Sequence, residues 1–195
     1  MPENVKTHPP YSIIPQDHCA AIGQATVSWA NLELTVDRAI WYAMQVDQQI
    51  AACLTSQLNS IFSRLNALIS ILREVGIDEK MCKRFGAFAG TCSALSEERN
   101  RLVHDARFLH SNGNIYKIHN TAKTIPRFEF NIEEITSLHN LHNRIMSKEQ
   151  EFMNLWNEIS GQLEVLLLKP KKRHRMIAFH DLERTSLTTA PIRHT

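Results

Sequence analysis

The chain has 195 residues, 43% of them hydrophobic and 22% charged, with 22 Lys and Arg against 20 Asp and Glu. That length and balance suit one globular domain with a substantial core. Six glycines argue against a β-rich or glycine-loop architecture, and no glycine pattern for nucleotide binding is present.

Nothing approaches the run of about 18 apolar residues of a membrane span, and the first residues lack a signal-peptide core. The expectation is a soluble, cytoplasmic protein with no membrane partner. Cys19, Cys53, Cys82 and Cys92 lie far apart with no C-x-x-C pair, which speaks against a zinc knuckle or a disulfide framework. They read as buried, reduced thiols. Charge is uneven: residues 169–195 carry seven Lys and Arg against two Asp and Glu, while the rest of the chain is slightly acidic. Affinity for nucleic acid must therefore come from a local patch or from this tail.

In chain order, residues 1–16 hold four prolines and no periodicity, and read as an extended arm. Asp17 is placed to cap a first helix with the apolar stripe Ile22, Ala25, Trp29, Leu32, Val36, Ile40 and Ala43. A second helix follows from the stripe Leu54, Leu58, Ile61, Leu65, Leu68, Leu72 and Val75, stopped by Gly76. Asp78 then caps a third, whose stripe Met81, Phe85, Phe88, Cys92 and Leu95 continues through Arg99 to Leu102. Residues 106–110 and 115–119 flank Asn112-Gly113 and predict a β-hairpin, to which 127–130 adds a short third strand. Asn131, with Glu134 three residues on, resembles a capping arrangement and opens a fourth helix ending before Lys169-Pro170.

Helices with one apolar stripe each must bury those stripes against one another. The expected fold class is therefore all-α: a four-helix bundle over residues 17–168 with a small β-hairpin insertion at about 106–130, between helices three and four. The basic tail, 169–195, lies outside it.

One segment stands out, Arg99-Asn100-Arg101-Leu102-Val103-His104. Arg holds a phosphate with two parallel hydrogen bonds, and His exchanges a proton near neutral pH. Together they can act on a phosphodiester without a metal. The bare spacing also occurs at Arg173 and Arg175 relative to His180, so context must carry the meaning. Arg99 falls where the stripe calls for an apolar residue. Glu33, on the face defined by Trp29, Val36 and Ile40, either pairs with it or sits at the stripe edge and reaches solvent. Asn100 and His104 share a helix face, whereas Arg99 lies about 140° round from His104. Either the helix ends near Val103 and His104 turns back, or the two groups meet across a two-fold interface.

The stretch Glu98-Arg99-Asn100-Arg101-Leu102-Val103-His104, closing the third helix and followed by an insertion, resembles the signature of the HEPN superfamily. That signature is an Arg, usually followed by a polar residue such as Asn, then a His after four to six intervening positions. The early segment Trp29-Ala30-x-Leu32-Glu33 is also similar to the first helix of several bacterial members. The resemblance implies a small helical domain that dimerises with its motifs facing each other. It further implies a metal-independent endoribonuclease of toxin–antitoxin, antiviral-defence or RNA-processing systems, or a member that has lost catalysis and serves as a scaffold or RNA binder.

Carried over position by position, the resemblance gives Arg99 the scissile phosphate, Asn100 the orientation of that phosphate or of the His, and His104 the proton transfer. RNA supplies its own nucleophile, the 2′-OH. The expected partners are RNA, a second copy of the chain, and an antitoxin or regulatory protein; no cofactor and no metal is called for. Arg101 and Arg107 are the expected local contacts to RNA backbone, with Lys171, Lys172 and Arg173 in the tail. His110 and His119 face solvent or RNA. His139 and His142, three apart, lack a third ligand and read as core or interface histidines rather than a metal pair.

Overall fold

The computed structural model describes residues 13–121 and 127–168. It is mostly helical with one small antiparallel sheet, in the order α1 (Gln16–Met44), α2 (Gln48–Thr55), α3 (Ile61–Val75), α4 (Glu79–His104), β1 (Ala106–Leu109), β2 (Ile115–Thr121), β3 (Arg127–Ile132) and α5 (Ile135–Leu168). No described helix is long and apolar enough to cross a membrane.

The first helix begins one residue before Asp17. Pro15 occupies the cap position without a side-chain bond, and its carbonyl accepts from the Cys19 N–H at 3.1 Å. Asp17 instead lies in the first turn, where a negative charge suits the positive end of the helix dipole. At the other end Gln45 takes a left-handed conformation (φ 56°), held by its backbone and side-chain amides donating to the Tyr42 carbonyl.

The single second helix expected from the Leu54–Val75 stripe is two helices. Ser60 and Ser63 form a reciprocal capping box, which satisfies backbone N–H groups that a continuous helix would have paired and so starts α3 afresh. Leu54 is left exposed, and α2 is fastened to α1 by the Trp41 indole N–H donating to Thr55 Oγ1 at 3.0 Å. The end of α3 agrees with the reading. Gly76 sits at φ 101°, its N–H bonds the Arg73 carbonyl, and the Ile77 N–H reaches back to the Leu72 carbonyl at 2.9 Å. Asp78 then caps α4 by accepting from the Met81 N–H.

The hairpin also forms where expected, with Gly113 at φ 86° and Phe108 opposite Tyr116. The third strand runs two residues further than its pattern suggested, so Asn131 and Ile132 pair with Lys117 and Tyr116 and are not a helix start. Sheet pairing outcompetes the Asn131–Glu134 capping arrangement, and α5 begins at Ile135. One sheet face sends Ile115 and Glu133 inward to burial. The other carries Phe108 stacked on Tyr116, with Phe130 and Ile132 exposed beside them.

The core lies among α1, α3, α4 and α5, where α1 packs on α5 and α3, and α3 packs on α4. Trp29, Phe85, Phe152 and a shell of Leu and Ile fill it. Phe152 meets Phe85 edge-on at 6.0 Å and stacks on Trp156. Of the cysteines, Cys82 and Cys92 are buried as expected. Cys19 and Cys53 are exposed, because each falls outside the buried stripe of its own helix.

Candidate functional site

The motif closes α4. The buried residues of that helix, Phe85, Phe88, Cys92, Leu95 and Leu102, define a stripe whose centre passes through position 99. Arg99 is accordingly half-buried: its Nε is shielded from solvent and makes no hydrogen bond, while Nη1 donates to Asn100 Oδ1 at 3.2 Å. Asn100 is exposed and holds the guanidinium from the solvent side.

Glu33 is not its partner. The Glu33 carboxylate faces Arg64 of α3 at 3.5 Å, and Arg64 also donates through Nε to Asp37 at 2.9 Å. Both carboxylates stand one helical turn apart on α1, and α3 lies directly beside that face, so Arg64 reaches them. Burial pushes the Asp37 carboxyl above its usual range even with Arg64 beside it. Arg99 forms no ion pair among the described residues.

His104 is the last residue of α4 and is exposed. The helix stays regular to that point, with the Asp105 N–H bonding the Arg101 carbonyl at 2.9 Å. His104 therefore does not turn back toward Arg99. Five residues of unbroken helix set the two about 140° apart, and a single chain brings Arg99 together with Asn100 but not with His104.

The other expected contacts divide. Arg101 is exposed, at the mouth of a cleft between α4, the sheet and α5. Arg107 is engaged within the fold: its side chain is 9% exposed and forms a two-pronged bond with Glu133, itself 3% exposed, at 2.5 and 2.9 Å. Arg107 alternates inward with Ile115 and Glu133, a consequence of strand pleating that its charge alone did not reveal. Lys171, Lys172 and Arg173 lie outside the described residues, as does the rest of the tail.

His142 Nδ1 lies 3.1 Å from Ser28 Oγ, bridging α5 to α1, and His139 is exposed. No described cluster of three or more His, Cys, Asp or Glu is arranged to hold a metal ion. His110 packs edge-on against Tyr116.

Sequence reading missed the polar frame around the motif. Glu98, one residue before Arg99, takes both guanidinium nitrogens of Arg144 on α5 at 2.7 Å. That bond holds the Glu98 carboxyl below its ordinary value. Glu133 is a hub: besides Arg107, its backbone joins Ile115 of β2 and His18 of α1. The signal for Lys117 was present, since period-two alternation from the buried Ile115 points it to the same side of the sheet.

Comparison with known proteins finds no family model, no curated protein and no solved structure that matches this chain.

Proposed function

We propose that the chain is a metal-independent endoribonuclease of HEPN type, built on a four-helix bundle with a β insertion, in which Arg99, Asn100 and His104 act on an RNA phosphodiester. The observation that carries this reading is the state of Arg99. A guanidinium at the centre of an apolar stripe is costly without a carboxylate, and here it has none among the described residues, only Asn100. Its charge is left for an anion that arrives from outside.

In the proposed reaction the RNA 2′-OH attacks the adjacent phosphorus, its proton leaves, and the bond to the 5′-oxygen breaks as that oxygen gains a proton. The products are a 2′,3′-cyclic phosphate and a 5′-hydroxyl. Arg99 stabilises the charge that builds on the phosphorane oxygens, and His104 takes or gives one of the two protons. Because Arg99 and His104 diverge within one chain, each site would take Arg99 from one copy and His104 from a second in a homodimer. The setting fits a cytoplasmic toxin or defence effector restrained by an antitoxin or other regulatory protein.

The test is cleavage of single-stranded RNA in chelator by the wild type, Arg99→Ala, His104→Ala and an equimolar, co-refolded mixture of the two variants. Each variant alone is expected to be inactive. With random pairing, half the dimers are mixed and each of these keeps one intact site, so the mixture recovers about a quarter of wild-type activity. No cleavage by the wild type, or cleavage only with added metal, refutes the proposal. The same divergence of Arg99 and His104 favours a second reading, an RNA-binding scaffold without catalysis; RNA bound with a steep salt dependence and left uncut selects it.

A further inference from the structure

A cleft of about 160 Å³ opens between the end of α4, the inner face of the sheet and the start of α5. Its floor is apolar, made by Leu102, Leu138 and Leu141. Its rim is charged, and those charges are unequally matched. The two carboxylates, Glu98 and Glu133, are each already held by two nitrogens of an arginine, Arg144 and Arg107. That leaves Arg101 and Lys117, neither of which forms an ion pair among the described residues. They come from different elements, α4 and β2, yet line one opening together with Ser137. Both also favour the charged form of Glu98 on the same rim.

We infer that this cleft is a phosphate-binding subsite, in which Arg101 and Lys117 hold a backbone phosphate of single-stranded RNA at a position other than the scissile one. The volume accommodates a tetrahedral anion with a water, whose share of liquid is about 30 Å³. Two cations left over after internal pairing match one phosphodiester with charge to spare. The guanidinium supplies two parallel donors and the ammonium a point charge. Arg101 is also only three residues from His104, so an RNA strand anchored in the cleft passes the end of α4 that carries the motif. Such contacts set the register of a nucleic acid without reading its sequence. The inference rests on the reading of the chain as an RNA-acting protein, but not on its cutting RNA.

The probe is a short, fluorescein-labelled oligonucleotide with every 2′-OH methylated, which removes the nucleophile and separates binding from cleavage. Its affinity is measured by anisotropy across a salt series for the wild type, Arg101→Gln, Lys117→Gln and the double variant. Arg84→Gln serves as the charge-matched control, since Arg84 is engaged by Glu158 elsewhere on the surface. Each cleft variant is expected to weaken binding several-fold, and to lower the slope of log K against log salt by about 0.7 for each lost contact. The control is expected to match the wild type, and thermal melts verify that all variants are folded.

A double variant that binds with wild-type affinity and slope overturns the inference, as does a wild type that does not bind the probe. If inorganic phosphate binds the wild type and not the double variant while probe binding is unchanged, the cleft takes the free anion and the RNA subsite is overturned. His104→Ala separates the two proposals, because it is expected to end cleavage while the probe still binds in a way that depends on Arg101 and Lys117. Probe binding that depends on Arg101 and Lys117 in a chain that cuts nothing keeps the subsite and removes the ribonuclease.

Discussion

Arg107→Ala is expected to be among the most destabilising single substitutions in the molecule. Arg107 and Glu133 are 9% and 3% exposed and share two hydrogen bonds, and Arg107 Nη1 also donates to the Asp105 carbonyl at 2.9 Å. Removing the guanidinium leaves a buried carboxylate without its counter-charge, which costs about 3–5 kcal/mol. For a chain of this length each kcal/mol lowers Tm by about 2–4 °C, so the melt should fall by roughly 6–20 °C. Glu133 also joins β2 and α1 through its backbone, so the loss should be felt where the sheet meets the helices.

The partner variant makes the argument specific. Arg107→Met with Glu133→Leu removes both charges and restores apolar volume, and a buried pair replaced in this way is often neutral or stabilising. The double variant should therefore recover most of what Arg107→Ala loses, in thermal and urea unfolding followed by circular dichroism. Arg107→Ala within about 1 kcal/mol of the wild type would refute the reasoning, since a loss that small is what an exposed pair gives. A stable Arg107→Ala protein with weakened RNA binding would return Arg107 to the role its sequence context suggested.

Glu98, held below its ordinary value by the Arg144 hydrogen bonds, contributes stability that is present above the unfolded carboxyl value near 4.5 and is lost as pH falls through the lower folded value. Because the pair is about half exposed, the contribution is under about 1 kcal/mol. The stability gap between the wild type and Glu98→Gln at neutral pH should accordingly close below pH 4.5 and shrink in high salt; a gap unchanged by acid contradicts the assignment. A thiol reagent should label Cys19 and Cys53 rapidly in the native protein and reach Cys82 and Cys92 only on unfolding. Burial pushes the Cys92 thiol up to about 12, so it supplies little thiolate, and rapid native labelling of all four would count against the packing.

The helices of this chain are legible because their causes are local. Asp78 and Gly76 mark ends through bonds within a few residues, and the apolar stripes of α1, α3 and α4 name their buried faces without reference to a partner. The Asn112-Gly113 turn needs only the freedom of Gly113 at positive φ. Where two local signals compete, sequence alone does not rank them. The Ser60–Ser63 box divides a continuous stripe, and the pairing of Asn131 and Ile132 with β2 overrides a cap three residues long.

The motif divides in the same way. That Arg99 stands on an apolar stripe, and that it and His104 face about 140° apart on a regular helix, follow from residue spacing alone. Which carboxylate meets which arginine does not, because ion pairs form between side chains far apart in the chain once packing has set their distance. Arg64 reaches Glu33 across α1 and α3; Arg107 turns inward to Glu133, and Arg144 crosses from α5 to Glu98. Tertiary structure thus decided which cations are spent on the fold, Arg64, Arg107 and Arg144, and which remain unpaired by any described carboxylate, Arg99, Arg101 and Lys117. The physical reason is that helix and strand periodicity depend on neighbours along the chain, while the fate of a charge depends on what the fold places across from it.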